Sequence, residues 1–127
     1  MFEKLELTRM AQTMAAQAGA RMGVIAQNVA NADTPGYKAM DMASFADSYQ
    51  AAGGQMRATR AGHASAGDGL MTPQVRRDQN TGAPNGNSVS LEQEMVKAAG
   101  VRQDHEMALA IYRNTSDIIR ASLGRSR

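Results

Sequence analysis

Apolar side chains recur at steps of three and four residues near the N-terminus, which is the spacing of one helix face. They form the row Leu7, Ala11, Met14, Ala18, Met22, Ile25 and Val29. The pattern predicts an amphipathic helix from Glu3 to Asn31, roughly 40 Å long at about 1.5 Å per residue. Gly19 and Gly23 fall on one side of this helix and indicate either tolerated flexibility or the close approach of a neighbouring helix.

A second helical pattern fills the C-terminal part of the chain. Ser90 followed by Gln93 has the spacing of a capping box, and Glu92 and Glu94 suit the positive helix end. Alternating steps of four and three, which is heptad spacing, connect Leu91, Met95, Ala98, Arg102, His105, Leu109, Tyr112, Ser116, Ile119 and Leu123. A second row beside it contains Val101, Ala108, Ile111, Thr115 and Ile118. This apolar surface is wider than one partner helix covers, so more than one neighbour is expected. Gly124 provides the stop signal.

The segment after the first helix contains a stop signal and a turn. A residue before proline is disfavoured in the α region, so Thr34 before Pro35 predicts that the first helix ends near Asn31 or Ala32. Proline then glycine suits the two central positions of a β-turn, and Pro35-Gly36 is expected to turn the chain.

The middle of the chain carries weaker signals. A short helical piece is predicted between Ala39 and Gln50, with Asp41 or Ser44 as its cap. Residues 51–88 contain seven glycines and few bulky apolar groups, which predicts a long loop. A small hairpin pairing 56–59 with 71–76 is a further expectation within that loop.

These elements predict a mainly α fold, in which long N- and C-terminal helices pack as an antiparallel coiled-coil-like pair with a Gly-rich loop or small β-hairpin region between them. The expected organisation is 1–32 as the N-terminal helix of a core domain, 33–50 as the turn and short helical piece, 51–88 as the flexible loop or hairpin region, and 89–124 as the C-terminal helix of the same core domain.

Composition makes a self-sufficient globule doubtful. The 127 residues include ten Met but only five Phe and Tyr together, with no Trp, which favours flexible contact surface over a rigid aromatic core. The absence of cysteine excludes disulfides and thiolate chemistry. Net charge is +2 with acids and bases interspersed, so nucleic-acid binding is not implied. The alternative is a small helical nucleic-acid-binding or regulatory protein that uses Arg113, Arg120, Arg125 and Arg127.

Candidate catalytic chemistry is lacking. His63 and His105 are the two histidines, and neither stands in a metal-ligand spacing. Asp104, His105 and Glu106 are successive helix positions and diverge too far to act on one substrate. The sequence therefore predicts no enzyme, cofactor or metal. Acidic residues near Met1 and the lack of a long apolar run predict neither a cleaved signal peptide nor direct membrane insertion.

Two motifs resemble the flagellar basal-body rod protein family. The string from Asn28 to Lys38, N-V-A-N-A-D-T-P-G-Y-K, is similar to the signature of proximal rod members, and the Asn85–Met95 segment is similar to the start of their C-terminal helix. The resemblance implies a tubular drive shaft that transmits torque around an export channel. It implies a periplasmic rod location in the basal body and export without a cleaved signal.

The resemblance also implies partners: other copies of the chain, FlgC-like rod proteins, a FliE-type adaptor and membrane ring at the rod base, and the flagellar type III export apparatus. The family motif and turn residues are Asn28, Asn31, Asp33, Thr34, Pro35, Gly36 and Tyr37. The predicted assembly interface consists of Leu7, Met14, Ala18, Met22, Ile25, Val29, Leu91, Met95, Leu109, Ile111, Tyr112, Ile118, Ile119 and Leu123.

Overall fold

The computed structural model describes residues 2–52, 74–75 and 83–124. Along the chain they form helix α1 (Phe2–Ala30), strand β1 (Met40–Asp41), helix α2 (Phe45–Ala52), strand β2 (Gln74–Val75) and helix α3 (Leu91–Ser122). The described part is mainly helical, and its long N- and C-terminal helices pack against each other, as the sequence predicts. None of the described helices is long and apolar enough to cross a membrane.

Helices α1 and α3 run antiparallel. Ala11 and Ala108 line one cleft between them, whereas Asn28 near the end of α1 contacts Glu94 near the start of α3. Between these points lies a small buried cluster of Ala18, Ile25 and Val101, against which Met22 and Ala98 pack. The pair therefore has a narrow core made mostly of small and aliphatic side chains.

The row of α3 that faces α1 has a strict seven-residue repeat. Its buried positions are Glu94, Val101, Ala108 and Thr115. Small side chains at this spacing let two helices approach closely, as in a coiled-coil seam. The longer heptad row that begins at Leu91 lies beside this seam, where its members are half-buried or exposed. One partner helix thus covers part of the apolar surface of α3 and leaves the rest open.

The ends of α1 and α3 agree with their sequence signals in part. Helix α1 ends at Ala30, and the Asn31 side chain donates to the carbonyl of Gln27 at 2.8 Å. Ser90 is the N-cap of α3, but the predicted capping-box bond is wrong, since its side chain makes no cap hydrogen bond. Gly124 has a φ of +71° and follows the last turn, as its role as a stop residue predicts.

The short helix and strands differ from the elements that the sequence predicts for the middle of the chain. The helical piece begins at Phe45 rather than Ala39, and Ser44 caps it by accepting from the Asp47 amide at 3.2 Å. Asp41 lies in β1 instead of capping this helix. Strand β2 pairs antiparallel with β1, while the predicted hairpin strand 56–59 lies outside the described residues.

Helix α2 is held against α1 by a buried glutamine. The Gln17 amide donates to the Ala43 carbonyl at 2.7 Å and to the Ser48 hydroxyl at 3.1 Å. Gln17 lies on a different face of α1 from the row that contains Ala18 and Ile25, and its burial is possible because both donor hydrogens have partners.

Candidate functional site

The two motif segments found in the sequence meet at one end of the helix pair. We use the name polar joint for residues 28–41 together with residues 85–97. In this region the end of α1, the turn after it, strand β1 and the first turns of α3 contact one another. The joint is a candidate functional site because it fixes how the two long helices are placed relative to each other.

Asn28 is the centre of the polar joint and is completely buried. Its amide nitrogen donates to the Met40 carbonyl at 2.6 Å and to a Glu94 carboxylate oxygen at 3.0 Å. Its amide oxygen accepts from the Met40 amide at 3.0 Å and from the Tyr37 hydroxyl at 3.3 Å. One side chain therefore binds the turn, the first strand and the opposite helix at once.

Glu94 brings a buried carboxylate into the joint, and a chain of charges surrounds it. Its side chain is 0% exposed and lies 3.4 Å from the Lys97 ammonium. Lys97 also pairs with Asp41 at 3.1 Å, and Asp41 pairs with Arg21 at 3.2 Å. Because a buried carboxylate is costly unless it is paired and hydrogen-bonded, these contacts make its burial possible. They also connect α3 to α1 through β1.

Asn87 binds the main chain of the turn that follows α1. Carbonyl groups just past a helix end lie outside the helical hydrogen-bond pattern and take partners from elsewhere. The buried Asn87 amide nitrogen lies within hydrogen-bonding distance of the carbonyls of Asn31, Ala32 and Thr34, at 2.9, 2.7 and 2.9 Å. Its amide oxygen accepts from the Val89 amide at 2.8 Å, which shapes the approach to α3. A side chain from the second motif thus holds the turn that belongs to the first motif.

Two glycines in the turns of the joint have a positive φ. Gly36 and Gly86 have φ values of +72° and +77°, a conformation that strains other residues. The Tyr37 amide donates to the Thr34 carbonyl at 3.3 Å, which closes the predicted Pro35-Gly36 turn. A Cβ atom on Gly86 would lie 3.6 Å from the Gly36 Cα atom, which is an ordinary contact distance. The positive φ, and not a lack of space, therefore favours glycine at both positions.

Main-chain hydrogen bonds join the two turns. The Gly36 amide donates to the Asn85 carbonyl at 2.9 Å, and the Ser88 amide donates to the Tyr37 carbonyl at 3.0 Å. The Ala39 amide then donates to the Ser88 hydroxyl at 2.8 Å. These bonds connect segments almost 50 residues apart in sequence. The joint is therefore built mainly from main-chain and amide contacts.

The predicted motif residues differ in burial. Asn28 is buried, Asn31 and Tyr37 are half-buried, and Asp33, Thr34, Pro35 and Gly36 are exposed. The exposed part of the motif is therefore the turn itself, while Asn28 and Tyr37 hold it from inside.

The predicted assembly residues fall into three groups by exposure. Ala18 and Ile25 are buried between α1 and α3. The half-buried group is Met14, Met22, Leu109, Ile111 and Ile119. The exposed group is Leu7, Val29, Leu91, Met95, Tyr112, Ile118 and Leu123. The pairing of α1 with α3 thus uses few of these side chains and leaves the larger ones on the surface.

The predicted close approach at Gly19 and Gly23 is not made inside the described part of this chain. A Cβ atom at either position would meet nothing within 4 Å. This side of α1 faces away from α3.

The residues with chemical groups do not form a reactive cluster in the described ranges. No three His, Asp or Glu side chains there are placed to hold a metal ion. His105 is half-buried on α3, and His63 lies outside the described residues. Of the arginines in the nucleic-acid alternative, Arg120 pairs with Asp117 at 3.4 Å, and residues 125–127 also lie outside.

Sequence reasoning did not find several residues of the joint. Asn87 and Lys97 carry no periodic signal, and Glu94 was expected only to favour the positive end of its helix. The signal that was present is the spacing of Glu94, which stands seven residues before Val101 and therefore shares a helix face with the small side chains of that row. Its partner, however, lies 66 residues away in the sequence.

Comparison with known proteins gives two results. A family model described as "Flagella basal body rod protein" matches residues 9–38, which span most of α1 and the turn of the joint. The "Flagellar basal body rod protein FlgB" of Agrobacterium fabrum (strain C58 / ATCC 33970) is 26% identical over 118 residues, covering 88% of each chain. The similarity to this relative therefore extends over both long helices.

Proposed function

We infer that this chain belongs to the flagellar basal body rod protein family and is a FlgB-like subunit that assembles through its terminal helices into the proximal rod. Proteins of this family are structural and are not known as enzymes. In our proposal the assembled chains form a tubular drive shaft that transmits torque and surrounds an export channel.

The observation that carries this proposal is the uncovered apolar surface of α3. Helix α1 packs on the row of Val101, Ala108 and Thr115, whose side chains are small. Larger side chains on the neighbouring rows stay exposed: Leu91, Met95, Val96, Met107, Tyr112, Ile118 and Leu123. Exposed apolar side chains in this number along one helix indicate a surface that is buried against another protein.

The polar joint supports a mechanical role. A shaft transmits torque when its subunits resist bending between their elements. Asn28 and Asn87 connect α1, the turn and the start of α3 through hydrogen bonds in buried positions. Buried bonds of this kind are costly to break, because water does not replace the lost partner. We propose that the joint keeps both helices in one layer of the rod.

The proposed partners follow from the family. They are other copies of this chain, FlgC-like rod subunits, a FliE-type adaptor and membrane ring at the rod base, and the type III export apparatus. The location is the flagellar basal body. We further propose a periplasmic position in the rod and export without a cleaved signal peptide.

The proposal is tested by removing exposed apolar groups without touching the core. In the double variant Ile118→Ser with Leu123→Ser, sedimentation should show weaker self-association, and the variant should fail to restore motility to a strain that lacks this chain. Both residues are more than half exposed, so helix content in the monomer should stay close to that of the original chain.

The matched control is Gln103→Ser, an exposed polar residue on the same helix. It should leave sedimentation and motility unchanged. The proposal is wrong if the double variant assembles and supports motility like the control, or if density for an intact basal body places no copy of this chain in the rod.

A further inference from the structure

We propose that the groove between the first half of α1 and helix α2 binds the C-terminal end of α3 from a second copy of this chain. The groove encloses about 560 Å³. Leu7 and Met10 of α1 and Phe45 and Tyr49 of α2 give it apolar walls. This inference rests on the proposed function, because it names one contact through which the subunits would assemble.

The groove is ready for an apolar partner. The Phe45 and Tyr49 rings lie 5.8 Å apart, centre to centre, and form one wall. Tyr49 is 59% exposed and Leu7 is 40% exposed, so both would lose water contact when the groove is filled. Burial of exposed aromatic and leucine side chains contributes strongly to such contacts.

Helix α3 of the same copy does not fill this groove. All of the residues that line it belong to α1 or α2. Helix α3 instead packs on the neighbouring side of α1, at Ala18 and Ile25. Among the described residues, no other element of the chain covers the groove.

The end of α3 has a matching shape. Tyr112, Ile119 and Leu123 follow steps of seven and four and therefore share one face of the helix. Tyr112 and Leu123 are exposed in the described chain. This face is about 17 Å long and the groove, from Glu3 to Gln17, is about 21 Å long, at 1.5 Å per residue. The helix end thus fits within the groove's length.

The charges are also complementary. Glu3 and Glu6 line one end of the groove, and Arg9 lies further along it. Arg113 and Arg120 lie two turns apart beside the apolar face of α3, and both are exposed. Carboxylates at the groove and guanidinium groups on the helix favour encounter in one orientation.

The groove and the helix end are different surfaces of the same chain, so a contact between them in two copies is heterologous. Contacts of this kind form rings if the rotation closes and open helical arrays if it does not. A docking of α3 into the groove therefore propagates from copy to copy and suits a filament rather than a simple twofold dimer.

Single cysteines test the contact directly, because the chain contains no cysteine of its own. The full chain with Tyr49→Cys is mixed with the full chain carrying Leu123→Cys under oxidising conditions. A disulfide requires Cα atoms within about 7 Å, so mixed dimers should form. The control Val96→Cys is 73% exposed on the same helix but far from its C-terminal end, and it should form few mixed dimers with Tyr49→Cys.

A charge reversal provides the second arm. Glu3→Arg with Glu6→Arg, or Arg113→Glu with Arg120→Glu, should each weaken self-association about tenfold, and mixing the two reversed chains should restore it. The inference is overturned if Val96→Cys and Leu123→Cys cross-link equally well to Tyr49→Cys, or if mixing the two reversed chains does not restore self-association. In either case, self-association of the original chain would still support the proposed function. Closure of a disulfide within one copy carrying both cysteines also overturns the inference. If no self-association occurs at all, both are wrong.

Discussion

Replacing Asn28 with alanine should destabilise this chain more than the loss of any other single amide side chain on α1. Asn28 is completely buried and binds both polar groups of the Met40 main chain. It also donates to the buried carboxylate of Glu94 at 3.0 Å. Alanine removes all of these contacts without supplying a replacement.

The expected loss of stability follows from the buried polar groups that Asn28→Ala leaves without a partner. Each buried polar group that loses its partner costs about 1 to 3 kcal/mol, and a charged group costs more. Asn28→Ala affects the Met40 amide, the Met40 carbonyl and the Glu94 carboxylate. Because these groups share one site, their costs do not simply add, and we expect a loss of about 3 to 5 kcal/mol in the free energy of unfolding. Typical domains have only about 5 to 15 kcal/mol.

The matched control is Asn31→Ala, which changes the same residue type three positions later. Asn31 is only half-buried, and its side chain donates to Gln27 within the last turn of the helix. Water can replace this bond, so the expected loss is about 0.5 to 1 kcal/mol. The difference between the two variants therefore isolates the effect of burial.

The assay is urea unfolding followed by circular dichroism at one fixed protein concentration, because assembly also raises apparent stability. The expected result is a clearly lower midpoint for Asn28→Ala than for Asn31→Ala, with similar slopes. Equal midpoints would show that Asn28 does not hold the polar joint together. A variant Asn28→Ala that still restores motility as well as Asn31→Ala would refute the mechanical role of the joint.

Two further predictions test the turns and the buried charges. Gly36→Ala and Gly86→Ala should each destabilise by about 1 to 2 kcal/mol, because alanine is strained at positive φ; Gly100→Ala, in open space within α3, should stabilise by about 0.5 to 1 kcal/mol. Equal unfolding midpoints for the three would contradict this. Lys97→Met should cost about 1 to 2 kcal/mol, since it removes the ammonium beside a buried carboxylate. Arg102→Met breaks an exposed pair and should change urea stability by less than about 0.5 kcal/mol; a similar loss in both would refute the distinction.

The sequence predicted the long elements of the fold well because their signals are local. The apolar period predicted α1 and α3, whose ends lie within a few residues of the expected ones. Pro35-Gly36 predicted the turn, which has the expected positive φ at glycine. These signals arise from steric preferences of neighbouring residues, so they can be interpreted without knowledge of the rest of the chain.

The candidate site was predicted only in part. Asn28 and the turn were singled out because they belong to a recognisable motif, but their contacts were not foreseen. Ser90 and Gln93 have the spacing of a capping box, yet the Ser90 side chain makes no such bond. A local pattern states what a side chain is able to bind, and the surrounding structure selects among those partners.

The sequence by itself thus determined two amphipathic helices, their order and the turn after the first. Only the tertiary structure decided which row of α3 faces α1, and it selected the seven-residue row of small side chains over the longer heptad row. It also decided that Asn28 contacts Glu94, 66 residues away in the sequence, and that Asn87 binds the Ala32 carbonyl in the turn after α1, 55 residues away. These choices depend on how closely two helices can approach and on which buried polar groups then find partners, and neither is a property of a local sequence pattern.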